Sequence, residues 1–184
     1  MRRGERRTRP AEPGQTYAAS RAGVDIVPPV PSSASFVPDS FEPPRGLVTA
    51  EFVLEPLGPQ HNVADYAAWK ASVEHIRATA GFPWGRWPHE MALDDNLRDL
   101  ERHARDFEAR TGFTFTVLEP GSGDVIGCVY IYPPPPSAVE AGVASVRAWV
   151  RADRAALDGP LWQAVGDWLR RDWPFERVEY ASRA

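Results

Sequence analysis

The stretch from Val143 to Tyr180 constrains the chain most. It reads VASVRAWVRADRAALDGPLWQAVGDWLRRDWPFERVEY and holds a strand, a tight connection, a helix and a second strand in one unit. Ser145, Arg147 and Trp149 alternate with Val146, Ala148 and Val150, the period-two pattern of a strand. Leu161, Val165, Trp168 and Leu169 then fall on one helical face. Pro174 stops the helix, and Phe175, Val178 and Tyr180 open another strand. A strand that runs directly into a helix start presents unpaired N–H groups, so the unit has the form of a phosphate-holding junction.

Upstream, Phe52, Leu54 and Leu57 with Val53 predict a first strand, closed by Pro56 and Gly58-Pro59. A helix is expected from Asn62, whose side chain suits an N-cap, with Asp65 at the capping-box position. Tyr66, Trp69, Val73 and Ile76 line one face of it, and Gly81 ends it. Leu93, Leu97, Leu100, Ala104 and Phe107 predict a second helix, with Asp94 and Asp95 at its positive end and Gly112 at C′. Its wet face offers the i,i+4 pairs Glu101–Arg105 and Asp106–Arg110. Phe113, Phe115 and Val117 then alternate as a strand, EPGSGD makes a hairpin loop, and residues 125–132 form an apolar run typical of a central strand. Gly127 within that run points to a bulge or a close backbone approach. Residues 133–136 are all proline, and they must leave the sheet because proline cannot donate to a ladder.

With 184 residues, among them 7 Trp, 8 Phe and 5 Tyr, the chain can bury one core and carry an appendage. Residues 1–35, rich in Pro and Arg and without apolar periodicity, are expected to be a disordered tail ahead of a domain over 36–184. No apolar run approaches the ~18 residues of a membrane span. The basic start MRRGERRTRP is not followed by the apolar stretch an export signal needs. Cys128 is the single cysteine, which sets the expectation of a cytoplasmic protein. Residues 1–45 carry a net charge of +2 and residues 46–184 a net of −6. An acidic body argues against a nucleic-acid partner and suits a cationic or amine substrate.

The order strand, two helices, hairpin pair, strand, helix, strand resembles the GNAT (GCN5-related N-acetyltransferase) fold from about Leu47 to Tyr180. The resemblance is strongest in VIGCVYIY, in the strand ending at Trp149-Val150, and in the helix followed by PFERVEY. The phrases HIRATAGF, WPHEM, VIGCVYIYP and DWPFERV look like those of an actinobacterial-type branch. The resemblance implies an α/β protein with a mixed α+β sheet, central, mostly antiparallel and flanked by helices. It further implies acetyl-CoA as cosubstrate and direct attack of an amine, on a small molecule or a protein, on the thioester.

In such enzymes the strand matching residues 143–150 splays from the strand matching 177–180. The pantetheine arm enters the gap and pairs with the first strand, which here implies the backbone of Trp149 and Val150. The pyrophosphate lies in a Q/R-x-x-G-x-G/A loop, which implies Arg151, Arg154 and Gly159 as its ligands. The segment Arg154-Ala155-Ala156-Leu157-Asp158-Gly159 keeps the Arg and the last Gly and has Leu157 in place of the central Gly. Asp158 adds a carboxylate at the helix start, and Pro160 removes a donor. The sequence stops at Ala184, where the family usually continues with a helix and a hairpin, so a fold shortened at the C-terminus is expected, with a homodimer as one way to complete the sheet. These departures carry an alternative, a catalytically inactive GNAT-like interaction or ligand-binding module.

Glu179 and Tyr180, on the last strand near the expected cleft, are the candidate catalytic residues. Trp87, His89 and Glu90 lie in the connector between the first two helices, which the resemblance implies is the acceptor-substrate side. Tyr130 and Tyr132 read as core or rim packing, and Cys128 as a small buried hydrophobe. The four histidines, His61, His75, His89 and His103, have no metal-ligand spacing, so no metal is expected.

Overall fold

The computed structural model describes residues 36–82, 87–138 and 140–183. The expected tail, residues 1–35, lies outside the described residues, as do residues 83–86 of the aromatic connector.

Six strands form one sheet in chain order: β1 (Leu47–Val48), β2 (Val53–Pro56), β3 (Phe113–Leu118), β4 (Val125–Tyr132), β5 (Val143–Val150) and β6 (Arg177–Tyr180). Neighbours are antiparallel up to β5. The last pair, β5 with β6, is parallel, because helix α4 (Asp158–Asp172) returns the chain to the starting end of β5. The expected mixed, mostly antiparallel sheet is therefore present. Helices α1 (Asn62–Lys70), α2 (Val73–Ala78) and α3 (Leu93–Ala109) separate β2 from β3.

Strand alternation sorts the side chains into two cores. Phe113, Phe115, Val146, Ala148 and Val150 pack with Leu161, Val165, Trp168 and Leu169, the four α4 residues whose spacing marked its inner face. Cys128, Tyr130 and Trp149 pack with Leu57, Trp69, Ile76 and Leu100. Phe36 and Phe41 strap onto the first core, and Arg110 holds that strap by donating to the carbonyls of Pro38 and Phe41, each at 2.6 Å.

Local details depart from expectation where tertiary contacts compete with local rules. The single helix expected after Asn62 is two, broken at Ala71–Ser72. The break frees the Ser72 hydroxyl to accept the Ala152 N–H at 3.0 Å, tying the helix pair to the end of β5. Asn62 and Asp65 do not form the predicted cap. His61 takes the N-cap position, and both side chains instead accept from Asn96 Nδ2 at 3.0 Å. Strand β1, only two residues long, left no periodic signal. Helix α3 ends on Arg110, whose φ is 62°, and not through Gly112. Its wet face carries the pairs Asp95–Arg98 and Asp99–Arg102 in place of the predicted i,i+4 pairs, because Tyr132 claims Asp106 and the strap claims Arg110.

Gly127 answers both expectations made for it. Val117 pairs with Gly127 and Leu118 with Val125, so Ile126 is the extra residue of a bulge. A Cβ on Gly127 would lie 2.2 Å from the Trp149 carbonyl oxygen, a backbone atom that cannot rotate away. Gly127→Ala is therefore expected to cost about 3 kcal/mol. Urea unfolding measures it, and a loss below about 0.5 kcal/mol would show that β4 and β5 part without strain.

Candidate functional site

Strands β5 and β6 pair over only four residues of β5, from Val143 opposite Arg177 to Val146 opposite Tyr180. Beyond that point β5 continues through Arg147–Val150, with β4 on one side and no strand on the other among the described residues. The Ala148 carbonyl faces this opening, since it accepts from Arg183 Nη2 at 2.8 Å. N–H and C=O groups of alternate residues share an edge, so those of Val150 face the opening too.

Arg183 spans the gap. Its side chain is only 9% exposed; Nη1 donates to the Ala80 carbonyl at 3.0 Å, and Nε lies 2.6 Å from Asp158 Oδ2 at the start of α4. A buried guanidinium is tolerated only with partners of this kind. Two buried polar atoms near it, Asp158 Oδ1 and the Tyr180 hydroxyl, have no hydrogen-bond partner. Burial raises the Tyr180 phenol well above its ordinary value, so it keeps its proton.

The arginines that the resemblance assigned to a pyrophosphate are close to this end of β5, and both already have partners. Arg151 clasps Asp153 through Nε (2.9 Å) and Nη2 (2.6 Å). Arg154 binds Glu119 at 2.9 Å and Asp153 at 3.1 Å, so Asp153 joins the two guanidinium groups. Gly159 sits in the first turn of α4, and a Cβ there would meet nothing within 4 Å. The Trp149 side chain points to the opposite face, its Nε1 donating to the Tyr130 hydroxyl at 3.3 Å.

That opposite face holds a cavity of about 530 Å³. Its floor is the β4–β5 ladder, where Tyr130 lies opposite Arg147 and Tyr132 opposite Ser145. One wall is a single face of α3, with Asp99, Arg102 and His103; the other is Phe82 with Trp87. Cavity and opening meet at the Ala80–Gly81 turn: a Cβ on Gly81 would lie 3.6 Å from Arg147 Cγ and 3.9 Å from Ala181 Cβ.

His103 is a cavity residue that the sequence reading did not single out. Tyr132 Oη donates to Asp106 at 2.9 Å, so its own oxygen is free to accept from His103 Nδ1, 2.7 Å away. Thr114 Oγ1 lies 3.1 Å from the same nitrogen; in the tautomer with the proton on Nδ1, Nδ1 donates to Tyr132 and Nε2 carries the lone pair. Burial, with the Arg102 guanidinium as the second cause, lowers the imidazole to about 4, so it is neutral at pH 7. Gly112 secures the arrangement, because a Cβ on it would lie 2.1 Å from the Tyr132 ring.

Of the residues proposed for the acceptor side, Trp87 lines the cavity. His89 and Glu90 are exposed outside it, Glu90 3.9 Å from Lys70. Glu179 shares the register of Ser145 but is exposed and paired with Arg177 at 3.1 Å, while Tyr180 packs on the α4 side. The two candidate catalytic residues are thus on opposite faces of β6. Cys128 is buried, as expected of a small hydrophobe. Among the described residues no helix is long and apolar enough to cross a membrane.

Solved acetyltransferase structures share this architecture. The ribosomal-protein-S5-alanine acetyltransferase of Vibrio fischeri superposes with a TM-score of 0.53 at 13% identity, over 67% of this chain and 66% of that one. A ribosomal L7/L12 alpha-N-protein acetyltransferase in complex with coenzyme A gives 0.55 at 11% identity, over 72% and 71%. The microcin C7 self immunity acetyltransferase in complex with acetyl-CoA and AMP gives 0.51 at 14% identity, over 70% and 66%. The chain has the GNAT fold. It spans about two thirds of the length of the Vibrio fischeri structure. No family model and no curated protein matches the sequence.

Within this GNAT fold two buried groups change stability in opposite directions as pH falls. Asp65, raised to about 6 by desolvation against the hydrogen bond from Asn96, binds its proton more tightly folded than unfolded. Acid therefore stabilises the fold through Asp65 as pH falls from about 6 to 3.8. His103 stays neutral when folded while the unfolded imidazole protonates near 6.5, so acid destabilises through it from 6.5 to about 4. Each effect is on the order of 3 kcal/mol. Their sum predicts a nearly flat stability between pH 6.5 and 4. Asp65→Asn should make the urea midpoint fall on acidification, and His103→Gln should make it rise. Parallel pH profiles for both variants and the parent would contradict this balance.

Proposed function

We propose that the protein transfers an acetyl group from acetyl-CoA to a primary amine bound in the cavity floored by Tyr130 and Arg147. The observation that carries this reading is the opening along β5, where among the described residues no strand covers Arg147–Val150 and the Ala148 carbonyl is held by the Arg183 side chain, and which meets the cavity at Gly81. The thioester would lie where the two spaces join. Arg151 and Arg154 are the cations closest to the far end of β5, and a pyrophosphate would draw them from Asp153, exchanging carboxylate oxygens for phosphate oxygens.

In this reaction the amine nitrogen attacks the thioester carbonyl carbon, forming the C–N bond. The adduct then expels the thiolate as the C–S bond breaks. The nitrogen must lose a proton, and His103 Nε2, in the tautomer whose Nδ1–H donates to Tyr132, is the candidate acceptor in the cavity wall. An imidazole lowered to about 4 does not strip a free ammonium; it accepts from the much more acidic N–H of the adduct. The leaving thiolate takes a proton, for which the protonated Tyr180 phenol beside Arg183 is the candidate; the Arg183 guanidinium carbon is 5.7 Å from its ring centre. Trp87 forms the acceptor wall, and a cytoplasmic site of action fits the buried free thiol of Cys128.

One observation favours the alternative of a non-catalytic ligand-binding module, namely that Arg183 already occupies the Ala148 carbonyl. Incubation with acetyl-CoA and a panel of primary amines, read as released thiol, tests the transferase reading. The expected result is turnover, with kcat lowered about 100-fold in His103→Gln. Absence of turnover together with absence of acetyl-CoA binding, in both the parent and Arg183→Ala, would leave the module reading standing.

A further inference from the structure

We infer that the cavity binds an amine that also carries an aromatic ring and a carboxylate, with an aromatic α-amino acid as the smallest molecule that meets all three demands. This rests on reading the cavity as the acceptor side of the proposed transferase, and it adds what the acceptor must look like. The cavity's size suits one small molecule and not a folded segment of protein.

The charge of the lining decides the first demand. Among the described residues, Arg102 and Arg147 face the cavity with Asp99 as the one carboxylate in its lining, and Asp99 is already paired with Arg102 at 3.1 Å. Arg147 has no hydrogen bond or ion pair among the described residues, although most described arginines do, down to those at the helix surfaces. An ammonium entering a lining with a surplus positive charge is repelled unless its own molecule brings an anion. The guanidinium fork of Arg147 matches a carboxylate in bidentate fashion.

The apolar lining decides the second. Phe82, Trp87 and Tyr130 lie against one another with ring centres 5.7, 6.2 and 6.4 Å apart, forming a continuous aromatic surface. A flat ring on that surface gains both burial and edge or face contacts. Distances decide the third. Tyr130 is flanked by Arg147 directly across the ladder and by His103, whose ring centre is 5.6 Å from its own. The carboxylate site and the proton-accepting site are thus one side chain apart, which suits a molecule whose amine and carboxylate share a carbon. Ser145, the other β5 residue in the floor, offers a hydroxyl beside the same carboxylate position.

Equilibrium binding without acetyl-CoA separates this inference from the transferase reading. The probes are L-phenylalanine and 2-phenylethylamine, which differ only in the carboxylate, followed by tryptophan fluorescence and calorimetry on the full chain and on Arg147→Gln. Arg147 is exposed, so the variant is expected to fold, and its thermal unfolding checks that. The parent should bind L-phenylalanine at least about tenfold more tightly than 2-phenylethylamine, and Arg147→Gln should erase that preference while leaving 2-phenylethylamine unchanged. Equal affinities in the parent, a preference that survives in Arg147→Gln, or no binding of either probe would overturn the inference. L-phenylalanine binding by a protein that does not take acetyl-CoA would instead sink the transferase reading alone.

Discussion

The short pairing of β5 with β6 is the constraint on which the rest depends. A strand whose second edge is paired for four residues and, among the described residues, by no strand for the next four leaves backbone groups on that edge to be satisfied by something other than sheet. In this chain the Arg183 guanidinium supplies part of that need, and it does so by spanning Ala80, Ala148 and Asp158. The opening persists because both flanks are fixed. On one side the Gly127 bulge presses β4 against the Trp149 carbonyl; on the other, α4 is anchored by four fully buried apolar residues. Polar space therefore lies along one edge of β5, and an aromatic cavity lies over its face.

The two spaces have different electrostatic character. At the opening, the described arginines are each already compensated by a carboxylate of the same chain: Arg151 and Arg154 by Asp153 and Glu119, and Arg183 by Asp158. An anionic ligand must exchange partners there, a process whose net gain is small. In the cavity, by contrast, Arg147 has no hydrogen bond or ion pair among the described residues to give up. In the proposed reading, acceptor recognition uses a free charge, and cosubstrate recognition uses charges that must first be released.

Much of the fold was legible because it follows from periodicity. The inner face of α4, the alternation of β3 and β5, and the need for Gly at position 127 all come from local rules that tertiary structure did not override. The break between α1 and α2 was hidden because Ser72 is held by Ala152, a partner 80 residues away. The site was less legible. His103 lies three residues after Leu100 and four before Phe107, on the inner stripe of α3, and that placement was the available signal. Its hydrogen-bonded setting depends on Tyr132 and Asp106, which only folding brings within 2.9 Å of each other. Arg183 lies outside every periodic element, so no pattern announced it.

The central claim is that the unpaired edge of β5 is where acetyl-CoA is held. Hydrogen exchange followed by mass spectrometry, with and without acetyl-CoA, addresses it most directly because it reads backbone groups one segment at a time. The account predicts slower exchange over residues 146–151 and faster exchange over 181–183 as Arg183 gives up the Ala148 carbonyl. Unchanged exchange in both segments at saturating acetyl-CoA would contradict it.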